Sequence, residues 1–229
     1  MRVAFDIDGV VADLQSVLVR EAEVLFGRTL TITPEVDEDH PLDGLSHRER
    51  QRLWRRIATI ENFWETLEET EEGAVARIAA VAAKRRWEVL FITKRPATVG
   101  AAAQTQTQRW LCDKGFPLPA VYVVRRSRGA IAEALGLDAV VDDQLANCLD
   151  VVADSHARPL LLCRHAEPSG TAVRAGPAVT RPAPVTLVRS ITECLDVLEA
   201  MDSEVRSLKS EVWGRPAAST SPKPAAPPR

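Results

Sequence analysis

Six short runs of apolar residues, none with polar alternation, recur along the chain with longer amphipathic stretches between them. They fall at residues 3–5, 88–92, 121–124, 139–141, 159–163 and 185–188, and they are rich in Val, Ile and Leu. A strand wetted on one face alternates apolar and polar residues, whereas a strand covered on both faces reads as a continuous apolar run. The stretches between them, at 14–26, 73–85, 98–114, 127–135, 144–153 and 190–208, carry helical spacing. This alternation predicts an α/β fold, a parallel sheet with helices on both faces. In such sheets ligands lie beyond the carboxyl ends of the strands.

The segment 27–72 breaks the alternation, because it holds no convincing buried strand. Ser46 and Glu49 form a capping-box pair, and Leu53, Trp54, Ile57 and Ala58 follow on one helical stripe. Phe63, Trp64 and a cluster of acids (Glu65, Glu68, Glu69, Glu71, Glu72) come next. The segment reads as a small, mostly helical cap inserted after the first strand–helix unit. Residues 1–26 and 73–210 then make the core domain. Residues 164–184, rich in Pro, Gly and Ala, read as a long loop. The tail from 211 to 229 is mostly Pro, Ala, Ser and Lys with no apolar period, which predicts disorder.

A net charge of -3 and a pI near 5.9 exclude general polyanion binding, so no nucleic-acid polymer is expected as partner. The four cysteines, Cys112, Cys148, Cys163 and Cys194, form no CxxC pair. They read as reduced, buried thiols of a cytoplasmic protein. No stretch has the roughly 18 apolar residues that a membrane helix needs. Acids within the first apolar run argue against a signal peptide.

Four polar features follow the apolar runs directly: Asp6-Ile7-Asp8-Gly9, Thr93-Lys94-Arg95, the basic group Arg125, Arg126 and Arg128, and Asp142-Asp143. Each has a bland alternative. DxDG also makes turns, Thr93 also caps strand ends, Arg125 and Arg126 also form solvated faces, and Asp142-Asp143 also caps helices. Together, at successive strand ends, they converge on one edge of the sheet. Carboxylates gathered there are costly without a cation between them, and oxygen-only ligands select a hard ion such as Mg²⁺. Lys94, Arg95 and Arg128 beside them complement a phosphate. Gly9 permits a tight turn after Asp8.

With FDIDGVVADL, FITKRP, RSRG and VVDDQ in that order, the chain resembles the haloacid dehalogenase (HAD) superfamily of phosphohydrolases. The resemblance implies a Rossmann-like core with a helical cap. It implies Asp6 as the nucleophile that forms an aspartyl-phosphate and Asp8 as general acid and base. Thr93 would hydrogen-bond the phosphoryl oxygens, and Arg128 would fill the basic position that is more often Lys. Asp6, Asp142 and the backbone carbonyl of Asp8 would hold Mg²⁺, with Asp143 close behind.

The segment from the aromatic pair to the second motif resembles the deoxyribonucleotidase branch, as does Asp13. The resemblance implies a small phosphorylated substrate, in the first instance a 5′-nucleotide, with Phe63 and Trp64 stacking on its base. The same aromatics also read as core anchors. Lys94 stands directly after Thr93, where that branch usually places a small residue; Lys94 and Arg95 either contact a second phosphate or an acidic group or point to solvent. A sugar phosphate is the alternative substrate, and an idle binding module the alternative of another class. Finally, Ile191, Cys194, Leu198, Met201, Val205, Leu208 and Val212 repeat at heptad spacing. That spacing predicts either packing on the sheet or a homodimer through residues 201–212.

Overall fold

The computed structural model describes residues 1–30, 44–164 and 185–213, with side chains as far as residue 204. Six strands form one parallel sheet: β1 (Arg2–Asp6), β2 (Glu88–Thr93), β3 (Ala120–Val123), β4 (Ala139–Asp142), β5 (Arg158–Leu162) and β6 (Thr186–Val188). Their order is β3-β2-β1-β4-β5-β6. The chain winds outward from β1 through β2 to β3, then returns to the other side of β1 for β4. That reversal opens a crevice between β1 and β4, where doubly wound sheets bind ligands. Asp6 ends β1 and Asp142 ends β4, so the two acids flank it.

Alternate residues of each strand serve the two faces. Val3, Phe5, Val89, Phe91, Val141 and Leu160 point to one side. There they meet α1 (Leu14–Phe26), α3 (Ala74–Arg85), α4 (Ala103–Asp113) and α7 (Ile191–Trp213). Ala4, Leu90, Ile92 and Val140 point to the other, toward α5 (Arg128–Leu135) and α6 (Leu145–Asp154). Gly129 lets those two helices approach, since a Cβ there would overlap the Asp150 carbonyl.

Four helices keep close to their expected spans, α7 runs on to Trp213 instead of ending near 208, and α4 is shortened. It starts at Ala103 rather than near 98, because Gly100 takes φ +100, outside the helical region. The outer strand β3 is less covered than its apolar run implied, with Tyr122 42% and Val123 38% exposed.

Between α1 and α3 the described residues contribute α2 (His47–Ala58) and a 3-10 turn (Phe63–Glu65). The Ser46–Glu49 capping box is present in both directions. Leu53 and Ile57 are buried, but Trp54 and Ala58, expected on the same stripe, are exposed. Leu45, Leu53, Ile57, Phe63, Trp64 and Leu67 join the same buried cluster as Val3 and Phe5. Residues 31–43, nearly all of the expected loop at 164–184 and the tail from 214 lie outside the described residues. Among the described residues no helix is long and apolar enough to cross a membrane. All four cysteines are free. Cys148 and Cys194 are buried, but Cys112 is exposed, so the expectation of buried thiols fails there. Loss of water pushes the Cys194 thiol well up, with Glu71 and Glu193 adding to it.

Candidate active site

The carboxyl edge of the sheet brings the four polar features together. A cavity of about 290 Å³ there is lined by Asp6, Asp8, Thr93, Lys94, Arg95 and Arg128, with Trp54, Trp64, Gln144 and Asn147 on its walls. Asp6, Thr93, Arg128 and Asp142 are buried polar residues, which is costly unless each is paired.

Arg128 does much of that pairing. It enters from the first turn of α5, donates to Asp6 Oδ1 through Nη2 and to Asp142 Oδ2 through Nε (3.2 Å), and so spans the crevice. Its Nη1 is buried with no hydrogen-bond partner among the described residues. Burial alone would lower the Arg128 pKa, but Asp6 and Asp142 raise it above the ordinary value.

The remaining acids crowd the same place. Loss of water and the charge of Asp142 push the Asp6 carboxyl well up; Arg128 opposes this, and Asp143 and Asp8 add to it. Asp143 is pushed up to about 8, first by loss of water and then by Asp142. Asp142 Oδ1 accepts from the Gln144 backbone N–H (3.0 Å) and from Asn147 Nδ2 (2.9 Å). It therefore braces the start of α6 while its other oxygen meets Arg128. Gly9, at φ +84, faces Asp143 so closely that a Cβ would overlap the Asp143 carboxylate.

Asp8 turns away from Asp6 toward β2. Arg95 donates to both its oxygens, with Nε at 3.1 and 3.0 Å and Nη2 at 2.8 Å, and Thr93 Oγ1 donates at 3.3 Å. Arg95 Nη1 donates to Thr107 Oγ1 (2.9 Å), and the guanidinium lies over Trp64 (4.7 Å) and near Trp110 (6.0 Å). Arg95 is only 3% exposed. The expected substrate contact of Arg95 therefore gives way to a different placement, in which its donors are taken up by Asp8 and Thr107.

The aromatic pair also moves inward. Phe63 is 1% exposed and lies in the core, off the cavity wall. Trp64 touches the cavity but is fully buried, with its indole N–H on the Pro96 carbonyl (2.9 Å) and its ring edge-on to Phe63 at 4.9 Å. Of the expected substrate residues, Lys94 alone is exposed; its Nζ donates to Asn147 Oδ1 at 3.3 Å. Asp13 caps α1 by accepting from the Ser16 N–H (3.0 Å).

Three site residues went unassigned in the sequence. Asn147 lies five positions after Asp142, where the first turn of α6 carries it back over the strand end. Trp54 belonged to a stripe that gave no hint of facing a cavity. Arg164 had no motif at all. It donates to the carbonyls of Gly9 (2.6 Å) and Val10 (2.8 Å), to Thr70 Oγ1 (2.9 Å) and to Glu71 Oε1 (3.2 Å). It thus fastens the turn that carries Asp6 and Asp8.

The donors fit a hard cation by chemistry, being oxygen-only. The fit rests on a mixed set, since no three His, Cys, Asp or Glu side chains among the described residues gather as metal ligands.

Solved structures share this architecture. A HAD-family hydrolase from Deinococcus radiodurans R1, solved with bound phosphate and sodium, superposes with a TM-score of 0.53 at 16% identity. The match covers 88% of this chain and 96% of that one. A hydrolase from Pseudomonas syringae gives 0.51 at 15% identity, covering 87% and 99%. A HAD-superfamily hydrolase of subfamily IA from Geobacter sulfurreducens PCA gives 0.50 at 15%, covering 86% and 95%. No protein-family model matches the chain, and no curated protein matches it significantly. The fold is thus the Rossmann-like α/β fold of the HAD hydrolases.

Proposed function

We propose that the chain is a Mg²⁺-dependent phosphomonoester hydrolase that works through an aspartyl-phosphate on Asp6. The observation that carries this reading is Arg128. A buried guanidinium joins Asp6 to Asp142 at the cavity floor and so fixes a positive charge beside the candidate nucleophile. That charge complements a phosphate, because guanidinium suits phosphate geometry.

In this reading Asp6 attacks phosphorus from the end of β1, and Arg128 offsets the charge that accumulates on the equatorial oxygens. Thr93 donates its hydroxyl to one of them. Asp8 hands a proton to the leaving oxygen and later takes one from the attacking water; such a positioned acid contributes roughly 10²–10⁴-fold. Arg95 holds Asp8 in place by a two-oxygen grip. Mg²⁺, held by the carboxylates of Asp6 and Asp142 and the Asp8 carbonyl with Asp143 behind, would neutralise charge between nucleophile and phosphate.

The substrate is a small phosphoester, either a 5′-nucleotide or a sugar phosphate. Placing a base against Trp64 loses support, since that indole is buried and its N–H is taken. The test is Asp6→Asn, whose amide cannot attack phosphorus. Wild-type protein should release phosphate from a small phosphomonoester only with Mg²⁺, and the variant should lose at least about 10³-fold while keeping its melting temperature. Turnover by the variant near the wild-type rate, or full wild-type activity after chelation, would refute the mechanism.

A further inference from the structure

A second cavity, of about 470 Å³, opens beside the first and is lined by Trp54, Ile57, Ala58, Lys94, Pro96, Ala97, Thr98 and Arg125. The two cavities share Trp54, Lys94 and Pro96, so a molecule that places its phosphate over Asp6 has this space for its remainder. Its size suits a small ligand. Its chemistry is specific in two ways.

Trp54, 37% exposed, presents an indole to both cavities from α2. The same cavity is lined by two exposed cations from different strand ends, Lys94 after β2 and Arg125 after β3. Among the described residues neither pairs with a carboxylate. Lys94 meets only an amide oxygen, and Arg125 makes no hydrogen bond or ion pair. No acidic residue lines the second cavity. Two unneutralised cations and a free aromatic face around one apolar space call for a flat ring that carries its own negative charge.

We infer that the leaving group of the substrate occupies this second cavity, and that it bears an aromatic ring stacked on Trp54 and a second anionic group held by Lys94 and Arg125. This rests on the phosphomonoesterase reading for the position of the scissile phosphate. It moves base recognition from the buried Phe63–Trp64 pair to α2, and it gives the Lys at position 94 a use.

Four probes separate ring from charge: 2′-deoxyadenosine 5′-monophosphate, 2′-deoxyadenosine 3′,5′-bisphosphate, ribose 5-phosphate and ribose 1,5-bisphosphate. Phosphate release and calorimetric binding are both measured on the full chain. The deoxyadenosine bisphosphate should lead in kcat/KM and in affinity, by about tenfold over the monophosphate and about tenfold over the ribose bisphosphate. In Arg125→Gln the ratio of deoxyadenosine bisphosphate to monophosphate should fall toward one. In Trp54→Ala the ratio of deoxyadenosine to ribose bisphosphate should do the same. Both side chains are exposed, so folding is not at issue. Equal turnover and equal affinity for all four probes would overturn the inference and leave the hydrolase intact. The expected order of affinities with no phosphate release would keep the cavity assignment and remove the hydrolase.

Discussion

At the scale of single residues, two arginines divide the site between them. Arg128 joins the acids of β1 and β4, while Arg95 withdraws Asp8 toward β2. Asp6 and Asp8, two positions apart, are therefore kept from sharing one partner. The division makes Arg95 a positioning residue with a measurable signature. Arg95→Gln should lower kcat by about 10²-fold with a smaller change in KM, because Asp8 remains present but unheld. Arg95→Lys should recover little, since a single ammonium cannot grip two oxygens while also reaching Thr107. An equal rise in KM and no change in kcat would mean that Arg95 binds substrate after all. The motif letters announced a base at position 95 but not its direction. A buried cation between two tryptophans depends on Trp64 and Trp110, which are far from it in sequence and packed around it only in the fold.

At the scale of elements, the strand ends were legible because each motif follows an apolar run directly, and a parallel sheet aligns those ends. The helices were legible from caps and spacing, as the Ser46–Glu49 box shows. Tertiary pairing was not. Trp54 and Trp64 look alike as exposed-or-buried aromatics in sequence, and only packing leaves one exposed on both cavities and buries the other with its indole N–H on the Pro96 carbonyl. The closeness of α5 and α6 was equally hidden, although Gly129 sits in the quoted RSRG motif. Gly129→Ala should cost about 1–3 kcal/mol of stability, because the added methyl meets the Asp150 backbone, which cannot yield as a side chain would. Denaturant unfolding reads this directly, and an unchanged midpoint would show that the two helices are free to separate.

At the scale of the whole molecule, α7 spends its first turns on the sheet. Ile191, Cys194 and Leu198 are buried, and Met201 packs half-buried against the same cluster. The heptad positions Val205, Leu208 and Val212 lie beyond the described side chains, and the helix itself continues to Trp213. Reading residues 201–212 as a pairing seam predicts a dimer of the full chain, and a monomer that keeps Mg²⁺-dependent turnover when the chain stops at Ser203. Sedimentation of the full chain as a monomer at high micromolar concentration would leave α7 as core packing alone.

Glu71 has a wider consequence. Arg164 reaches it with Nη2, and the Ile191 N–H at the start of α7 donates to the same carboxylate at 3.0 and 3.2 Å. One residue earlier, the Cys163 N–H donates to the Val188 carbonyl at 2.8 Å. A single carboxylate thus joins the residue that follows β5 to the start of α7. Through Arg164, which also donates to the carbonyls of Gly9 and Val10, that carboxylate couples the first turn of the chain to its last helix, two parts more than 150 residues apart.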